Sequence, residues 1–346
     1  MKLLDYLKNN KTYIIAEMSG NHGGSIEKAL EIVQAAAKAG ADCLKIQTYT
    51  ADTITINCKT EPFLVKTGLW QDEYLFDLYT KAYTPWEWTK IIKDEAERLG
   101  MDFLSTPFDF TAVEFLEKLD VDFYKVASFE IIDVPLIKKI AQTGKPIIMS
   151  CGMASKEEIK EAVETVRDVG NNLLILLKCC SAYPTNYATL NLSTIQDMRD
   201  EFNLPVGLSD HSIGTLTDIA AVALGVPVIE KHICLSREDK TVDGVFSLDK
   251  EEFTQLVKDI RNTELALGVP NYGPSEDEAQ SYAHRRSLFV VKDIKKGENF
   301  NSENVRSIRP ACGLHTRYYE ELLSGRKASH DLSFGTPLSW EDIEEK

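Results

Sequence analysis

From residue 12 to about residue 265, short apolar or β-branched runs alternate with stretches whose apolar positions recur every three to four residues. The runs are TYIIAEM (12–18), DCLKIQTY (42–49), MDFLST (101–106), DFYKVAS (122–128), PIIMSCG (146–152), LLILLKCC (173–180), PVGLSD (205–210) and PVIEKHI (227–233). Each has the length of a strand. The stretches between them read as amphipathic helices. SIEKALEIVQAAAKAGA and SKEEIKEAVETVRDVG both open on a serine with Lys or Glu three residues on, and both run to a C-terminal glycine.

Strands that alternate with helices imply parallel pairing through right-handed crossovers. Eight such units within residues 1–265 predict an α/β fold, a (β/α)8 TIM barrel. A doubly wound open sheet is the alternative, but no glycine-rich dinucleotide fingerprint follows the first run. Residues 266–284, rich in Gly, Pro, Ser and acids, read as a linker with a short helix. Beyond it, DIKKGENFNSENV (293–305) and DLSFGTPLSWEDI (331–343) share Asp, an apolar residue, a Gly four after the Asp and an acidic-polar-apolar ending. Each is expected to form a turn at its glycine and then a short capped helix. Residues 285–346 are thus expected to be a small, mostly β domain with little core of its own, leaning on a barrel.

Charge narrows the partners. A formal net charge of -15 argues against nucleic acid and against an anionic membrane, both of which select basic surface. No apolar stretch reaches the length of a membrane span, and the first 20 residues make a poor signal peptide. Seven cysteines without framework spacing suit a reducing, cytoplasmic setting. An acidic chain that binds an anion must concentrate its lysines locally, so their positions matter more than their number.

A barrel of this kind works at the C-terminal ends of its strands. Those ends carry Glu17, Asn21 and His22; Lys45 and Gln47; Ser105 and Thr106; Lys125, Ser128 and Glu130; Ser150; Ser181 and Tyr183; Ser209, Asp210 and His211; and Glu230, Lys231 and His232. Lysines and hydroxyls that converge describe a phosphate or carboxylate site. The competing reading has Lys45 and Lys125 snorkelling outward between helices. His211 and His232 close the last two strands, where two imidazoles with oxygen ligands suit a divalent first-row metal; two hydrogen-bonded rim histidines fit the spacing equally well. His284, His315 and His330 read as surface residues.

Several ordered motifs then carry a resemblance: IIAEMSGNHGGSIEKALEIVQAAAKAGADCLKIQTYTADTIT, FLSTPFD, YKVASFEIIDVPLI, GKPIIMSCGMAS, VGLSDHS and VIEKHICL. Together they resemble the sialic acid synthase family, which condenses phosphoenolpyruvate with acetamido sugars. RRSLFVVKDIKKGENF...RSIRP is similar to that family's antifreeze-like (SAF) domain, so the likeness spans nearly the whole chain. The form ASFEI and the segment AYTPWEW look most like the pseudaminic acid synthase branch. Cys151 and Cys180 stand where the family often has Thr, and MSGNHGGS departs from its usual Ala and Asn-Gly forms.

The resemblance implies a nine-carbon 2-keto acid product, with phosphate released. It implies that Lys45, Lys125, Ser128, Ser150, Ser181 and Ser209 hold phosphoenolpyruvate, with Thr106 beside them. His211 and His232 match ligands of a divalent metal (Mn, Co or Mg). Glu17, Gln47, Tyr183 and Asp243 match positions that face the sugar, and Arg309 matches an arginine lent by a neighbouring subunit in a domain-swapped homodimer. Glu17, Lys125 and Glu130 are the candidate catalytic groups, Glu130 for proton transfer at C2; mere pairing of Glu130 with a lysine is the competing reading. Phe129 is expected to shape the sugar pocket, or else to pack into the barrel wall. A surface arginine paired with acids is the other reading of Arg309. An N-acetylneuraminate or legionaminate synthase keeps the reaction and changes the sugar, whereas a carbohydrate-binding barrel that has lost its chemistry would need neither lysine cluster nor metal.

Overall fold

The computed structural model describes residues 2–9 and 11–345. The chain divides into two units, Met1–Gly268 and Val269–Lys346. All eight apolar runs form strands: β1 Tyr13–Glu17, β2 Cys43–Thr48, β3 Asp102–Pro107, β4 Tyr124–Val126, β5 Ile147–Ser150, β6 Leu174–Cys179, β7 Val206–Asp210 and β8 Val228–His232. They pair in parallel and in sequence order, and β8 closes on β1. The first unit is a closed (β/α)8 barrel.

Alternation along the strands sorts side chains into two layers. Outward residues such as Ile14, Leu44, Phe103, Met149, Leu176 and Leu208 join the apolar faces of the surrounding helices in one large core. Inward residues at the N-terminal end of the barrel (Tyr13, Ile15, Cys43, Leu104, Phe123, Ile148, Ile175, Leu177 and Val228) fill the lumen, and Leu3 of the helix Lys2–Lys8 plugs the bottom. Apolar filling stops partway up, so the next inward positions open a polar mouth above a dry floor.

The helices begin where their sequences signal. Ser25 Oγ accepts from Lys28 N at 3.2 Å, and Ser155 with Glu158 forms a reciprocal capping box; each cap contributes about 1 kcal/mol. Between β2 and the helix Trp86–Arg98 the chain makes a long excursion. It carries the helices Ala51–Ile54 and Leu75–Ala82 and a hairpin closed by the Leu64–Tyr74 bridge.

The second unit contains β9 Ser287–Val290 and β10 Val305–Ile308, paired antiparallel. The weak internal repeat has a structural counterpart. Gly297 N donates to Ala328 O and Gly335 N to Val290 O, both at 2.8 Å, while Phe300 N donates to Arg326 O and Leu338 N to Leu288 O, both at 3.0 Å. Each pair maps onto the other when the two repeats are exchanged, so the unit folds about an internal pseudo-twofold axis. Gly297 and Gly335 have φ of 81° and 88°, as the predicted turns require. The expected helix after the first turn is replaced by a turn at 302–304 that leads into β10; the second repeat has the single 3-10 turn Trp340–Asp342. The expectation of little intrinsic core is corrected. Leu288, Val290, Ile294, Phe300, Val305, Leu322, Ala328, Leu332, Leu338 and Ile343 form a buried cluster within this unit.

Candidate active site

Inward positions at the strand ends bring together the groups that the sequence placed on the rim. Lys45 on β2 and Lys125 on β4 are buried and point into the lumen, so the snorkelling alternative is overturned. Lys45 Nζ lies 2.5 Å from Glu17 Oε2 and 3.3 Å from Glu230 Oε1. Lys125 Nζ donates to Ser150 Oγ at 2.6 Å and lies 3.9 Å from Glu230 Oε1, which also accepts from Ser209 Oγ at 3.1 Å. Gln47 Nε2 donates to Glu17 Oε1 at 3.2 Å and to Ser19 Oγ at 3.0 Å.

Burial presses each of these charges toward neutrality, and the neighbours decide the outcome. For Lys45 the carboxylates of Glu17 and Glu230 outweigh burial and hold the pKa above the ordinary lysine value. Lys125 stays below it, because burial wins over Glu230 and Lys45 repels. Burial raises Glu17 against the pull of Lys45, whereas at Glu230 the two lysines overcome burial and keep it ionised. Burial also pushes Glu130 up to about 7, with Lys125 only partly opposing it. Among the described residues Glu130 makes no ion pair with a lysine; Lys125 faces Glu230 instead. Simple lysine pairing therefore does not account for Glu130.

A second feature is a pole of hydroxyls. Gly152 N donates to Ser128 Oγ at 3.1 Å. A Cβ on Gly152 would lie 2.3 Å from Ser181 Oγ and 2.8 Å from Ser128 Oγ, so only glycine lets these two hydroxyls converge there. Thr106 Oγ1, Glu130 Oε2, Glu230 Oε2 and His232 Nδ1 are buried without hydrogen-bond partners. Native interiors rarely leave such atoms unpaired, and four around one mouth mark a surface shaped for polar ligands.

His211 and His232 stand side by side with ring centroids 5.3 Å apart. Nδ1 of His211 lies 3.0 Å from Cys180 O, to which an Nδ1–H would donate, leaving Nε2 as a free lone pair. Burial, reinforced by His211 and Lys45, drives the His232 pKa well down, so this imidazole is neutral. Cys179 Sγ lies 3.8 Å from His211 Nδ1; burial raises the Cys179 pKa but His211 overcomes it, to about 7. The same sulfur favours positive charge at the His211 ring, outweighing burial there. No cluster of three or more His, Cys, Asp or Glu occurs among the described residues. Two adjacent imidazoles, of which His232 is neutral and keeps an orphaned buried nitrogen, nevertheless fit an ion whose other ligands come from substrate or solvent.

Tyr183 rests 4.5 Å from His211, and Asp243 is buried with Oδ2 3.5 Å from Gly20 N. Phe129 is 57% exposed at the end of β4, so it does not pack into the barrel wall. Arg309 stands in the second unit, in a basic cavity of about 980 Å³ that it shares with Arg285, Arg286, Arg317, His284 and His315.

Four of the expected rim residues need correction. His22 is buried away from the mouth against Trp88 (5.6 Å between centroids) and beside Thr84 Oγ1 at 3.2 Å, and burial lowers its pKa to about 4. Ser105 faces outward and bonds Thr48 Oγ1 at 2.6 Å. Asp210 and Lys231 also face outward, where Lys231 pairs with Asp210 and Asp218. Conversely, Glu230, expected only on the rim, points into the lumen between Lys45 and Ser209, as alternation from the inward Val228 requires. Trp70 and Phe246, whose rings lie 5.5 Å and 5.2 Å from that of Tyr183, carried no sequence signal, because the loops that bring them to the mouth have no regular period.

A family model described as the NeuB family matches residues 32–272. The chain belongs to the NeuB family. A SAF domain model matches residues 285–344. As a NeuB-family member the chain is a phosphoenolpyruvate-dependent nonulosonic acid synthase, a transferase. It is 45% identical over 343 residues to a pseudaminic acid synthase of Campylobacter jejuni, covering 99% of this chain and 100% of that one. It is 36% identical to an N,N'-diacetyllegionaminic acid synthase of Legionella pneumophila over 96% of this chain and 94% of that one. Among solved structures, an N-acetylneuraminic acid synthetase from Leptospira borgpetersenii in complex with citrate superposes with a TM-score of 0.70 at 31% identity, covering 79% of this chain and 90% of that one.

Proposed function

We propose that this NeuB-family enzyme joins phosphoenolpyruvate, 2,4-diacetamido-2,4,6-trideoxy-L-altrose and water into pseudaminic acid and phosphate. The observation that carries the choice of sugar is the 45% identity to a pseudaminic acid synthase along both full lengths, against 36% to a legionaminic acid synthase.

In this reading Lys45, Lys125 and the hydroxyls of Ser128, Ser150, Ser181, Ser209 and Thr106 hold the carboxylate and phosphate of phosphoenolpyruvate. Lysine gives compact charge and hydroxyls give direction, the combination an anion site needs. Glu17, Gln47, Tyr183, Asp243 and Phe129 face the sugar. The enol carbon forms a bond to the aldehyde carbon, whose oxygen takes up a proton, and C2 is left electron-poor. Water adds at C2 and gives one proton to Glu130; the C2–O bond to phosphate then breaks as the C2 hydroxyl becomes the ketone, and the proton of that hydroxyl leaves with the phosphate. Glu230 helps to hold Lys45 charged and orients both lysines between the two substrates. His211 and His232 would hold a divalent ion (Mn, Co or Mg), which when bound supplies Lewis acidity at the aldehyde oxygen. Arg309, whose planar fork suits hydroxyl and acetamido oxygens, would serve the site of a second subunit in a domain-swapped homodimer.

The test is phosphate release from phosphoenolpyruvate with purified protein and one sugar at a time. The trideoxy altrose derivative should give the highest kcat/KM. A higher value with N-acetylmannosamine or with the legionaminate precursor would overturn the substrate assignment.

A further inference from the structure

The mouth of the barrel is charged on one side and aromatic on the other. The aromatic side is a continuous chain of rings. His232 lies 4.9 Å from Phe246, Phe246 lies 5.2 Å from Tyr183, and Tyr183 lies 5.5 Å from Trp70 at an interplanar angle of 48°. Three of these four residues come from the β6 and β8 strand-ends and loops. Trp70 does not.

Trp70 comes from the tip of the hairpin in the β2 excursion. Val65 N donates to Glu73 O and Asp72 N to Val65 O, both at 2.9 Å, and Gly68 and Asp72 take positive φ around the bend. The hairpin throws Trp70 across the mouth, where its Nε1–H donates to Val242 O at 3.1 Å, one residue before Asp243. That bond fixes the ring's orientation. Trp70 belongs to neither apolar cluster of the barrel and is only half-buried, so folding does not explain why a large aromatic ring sits there. A ring held in place, stacked on a rim tyrosine and still partly open to solvent is a wall for something that is not protein.

We infer that Trp70 is a specificity-determining residue, forming with Tyr183 the apolar wall that receives a methyl-bearing substituent which the trideoxy diacetamido sugar has and N-acetylmannosamine lacks. This rests on the sugar-condensing reading of the site above. Two ring faces give a hydroxyl no partner, so a hydroxyl pressed against them loses its hydrogen bonds to water, whereas a methyl group gains contact. An apolar wall of this kind discriminates by roughly 10–100-fold. It explains why the hairpin is anchored to the β8 loop: the wall must not yield when a hydroxyl-rich sugar presses on it.

The experiment compares native enzyme, Trp70→Ala and Trp70→Phe with the trideoxy diacetamido sugar and with N-acetylmannosamine, measuring kcat/KM for each and KM for phosphoenolpyruvate. Trp70→Ala should reduce the ratio between the two sugars by about tenfold or more, through the sugar KM, with phosphoenolpyruvate KM unchanged. Trp70→Phe, which keeps a ring but loses the anchoring N–H, should give a ratio between those of native enzyme and Trp70→Ala. A ratio in Trp70→Ala equal to the native one overturns the assignment, as does a Phe variant that loses as much as Ala. If native enzyme prefers N-acetylmannosamine, the substrate reading fails instead, and the ratio between the same sugars still reports on Trp70.

Discussion

Replacing Glu130 by Gln separates two consequences of one buried carboxyl. Burial holds its pKa at about 7 against an ordinary 4.5, and Oε2 has no hydrogen-bond partner. Between those values the folded protein keeps a proton that the unfolded chain has released. Because the raised acid binds more protons folded than unfolded, stability falls as pH rises from about 4.5 to about 7 and levels off above it. A shift of that size corresponds to roughly 3 kcal/mol. Glutamine is neutral throughout and carries no such loss. The stability of Glu130→Gln relative to native protein should therefore climb by up to about 3 kcal/mol between pH 5 and pH 8, on the order of 6 °C in Tm for a domain of this size.

Activity should move the other way. If the carboxylate accepts the proton of the attacking water, kcat/KM for phosphoenolpyruvate rises with pH through about 7 in native enzyme. Glu130→Gln should lose that rise and drop in rate by about 10²–10⁴-fold. Thermal unfolding at several pH values and a kcat/KM profile from pH 5.5 to 9 read both effects on the same two proteins. A Tm difference that does not vary with pH would refute the buried-carboxyl argument. A rise near pH 7 that survives in the glutamine variant would remove Glu130 from the proton transfer.

The other expectations follow from single contacts. Exhaustive chelation should abolish turnover and added Mn or Co should restore it, while His211→Ala and His232→Ala each lower metal affinity in calorimetry with an unchanged circular dichroism spectrum; full activity of either variant after chelation would defeat the metal reading. Gly152→Ala places a methyl 2.3 Å from Ser181 Oγ, so phosphoenolpyruvate KM should rise at least about tenfold with little change in Tm, and an unchanged KM would show that the converging serines do not hold that substrate. Mixing Arg309→Ala subunits with Lys125→Ala subunits, each nearly inactive alone, should restore activity by leaving one intact shared site per mixed dimer; no recovery despite demonstrated subunit exchange would mean that the arginine is not lent.

Much of this was legible in the sequence because periodicity is a local property. The eight strands announced themselves as short apolar runs, and the helices as runs with serine caps. Repeat spacing also foretold the two turns at Gly297 and Gly335, but it could not show that the repeats would pair with each other and supply ten buried residues. Contacts distant in sequence leave no periodic trace. Trp70 reaches a carbonyl 172 positions away, and nothing near it in sequence signals that reach. Phe129 was ambiguous for a different reason: it lies three residues beyond Val126, the last residue of a short strand, in the 3-10 turn Ser128–Glu130, where the inward-outward rule no longer fixes direction.

Strand β8 shows how far that rule extends when it does apply. Val228, Glu230 and His232 share the inward face, while Ile229 and Lys231 share the outward one, and the five residues run from floor to mouth. Lys231 is as charged and as buried as Lys45, yet alternation alone sends it outward. There, Asp210 of the neighbouring strand is its register partner, and Asp218 lies 3.3 Å from its Nζ. Burying three such groups is costly unless they satisfy one another, and removing one leaves the others uncompensated by about 3–5 kcal/mol. Asp218 shows the strain of that arrangement: burial lifts its pKa to about 8, although Lys231 pulls it down. Asp210 and Lys231 directly adjoin His211 and His232 in sequence. The outer ion group therefore ties together the two strand ends whose inner faces present the imidazoles, and a string as short as EKH divides into one lumen carboxylate, one wall lysine and one rim histidine.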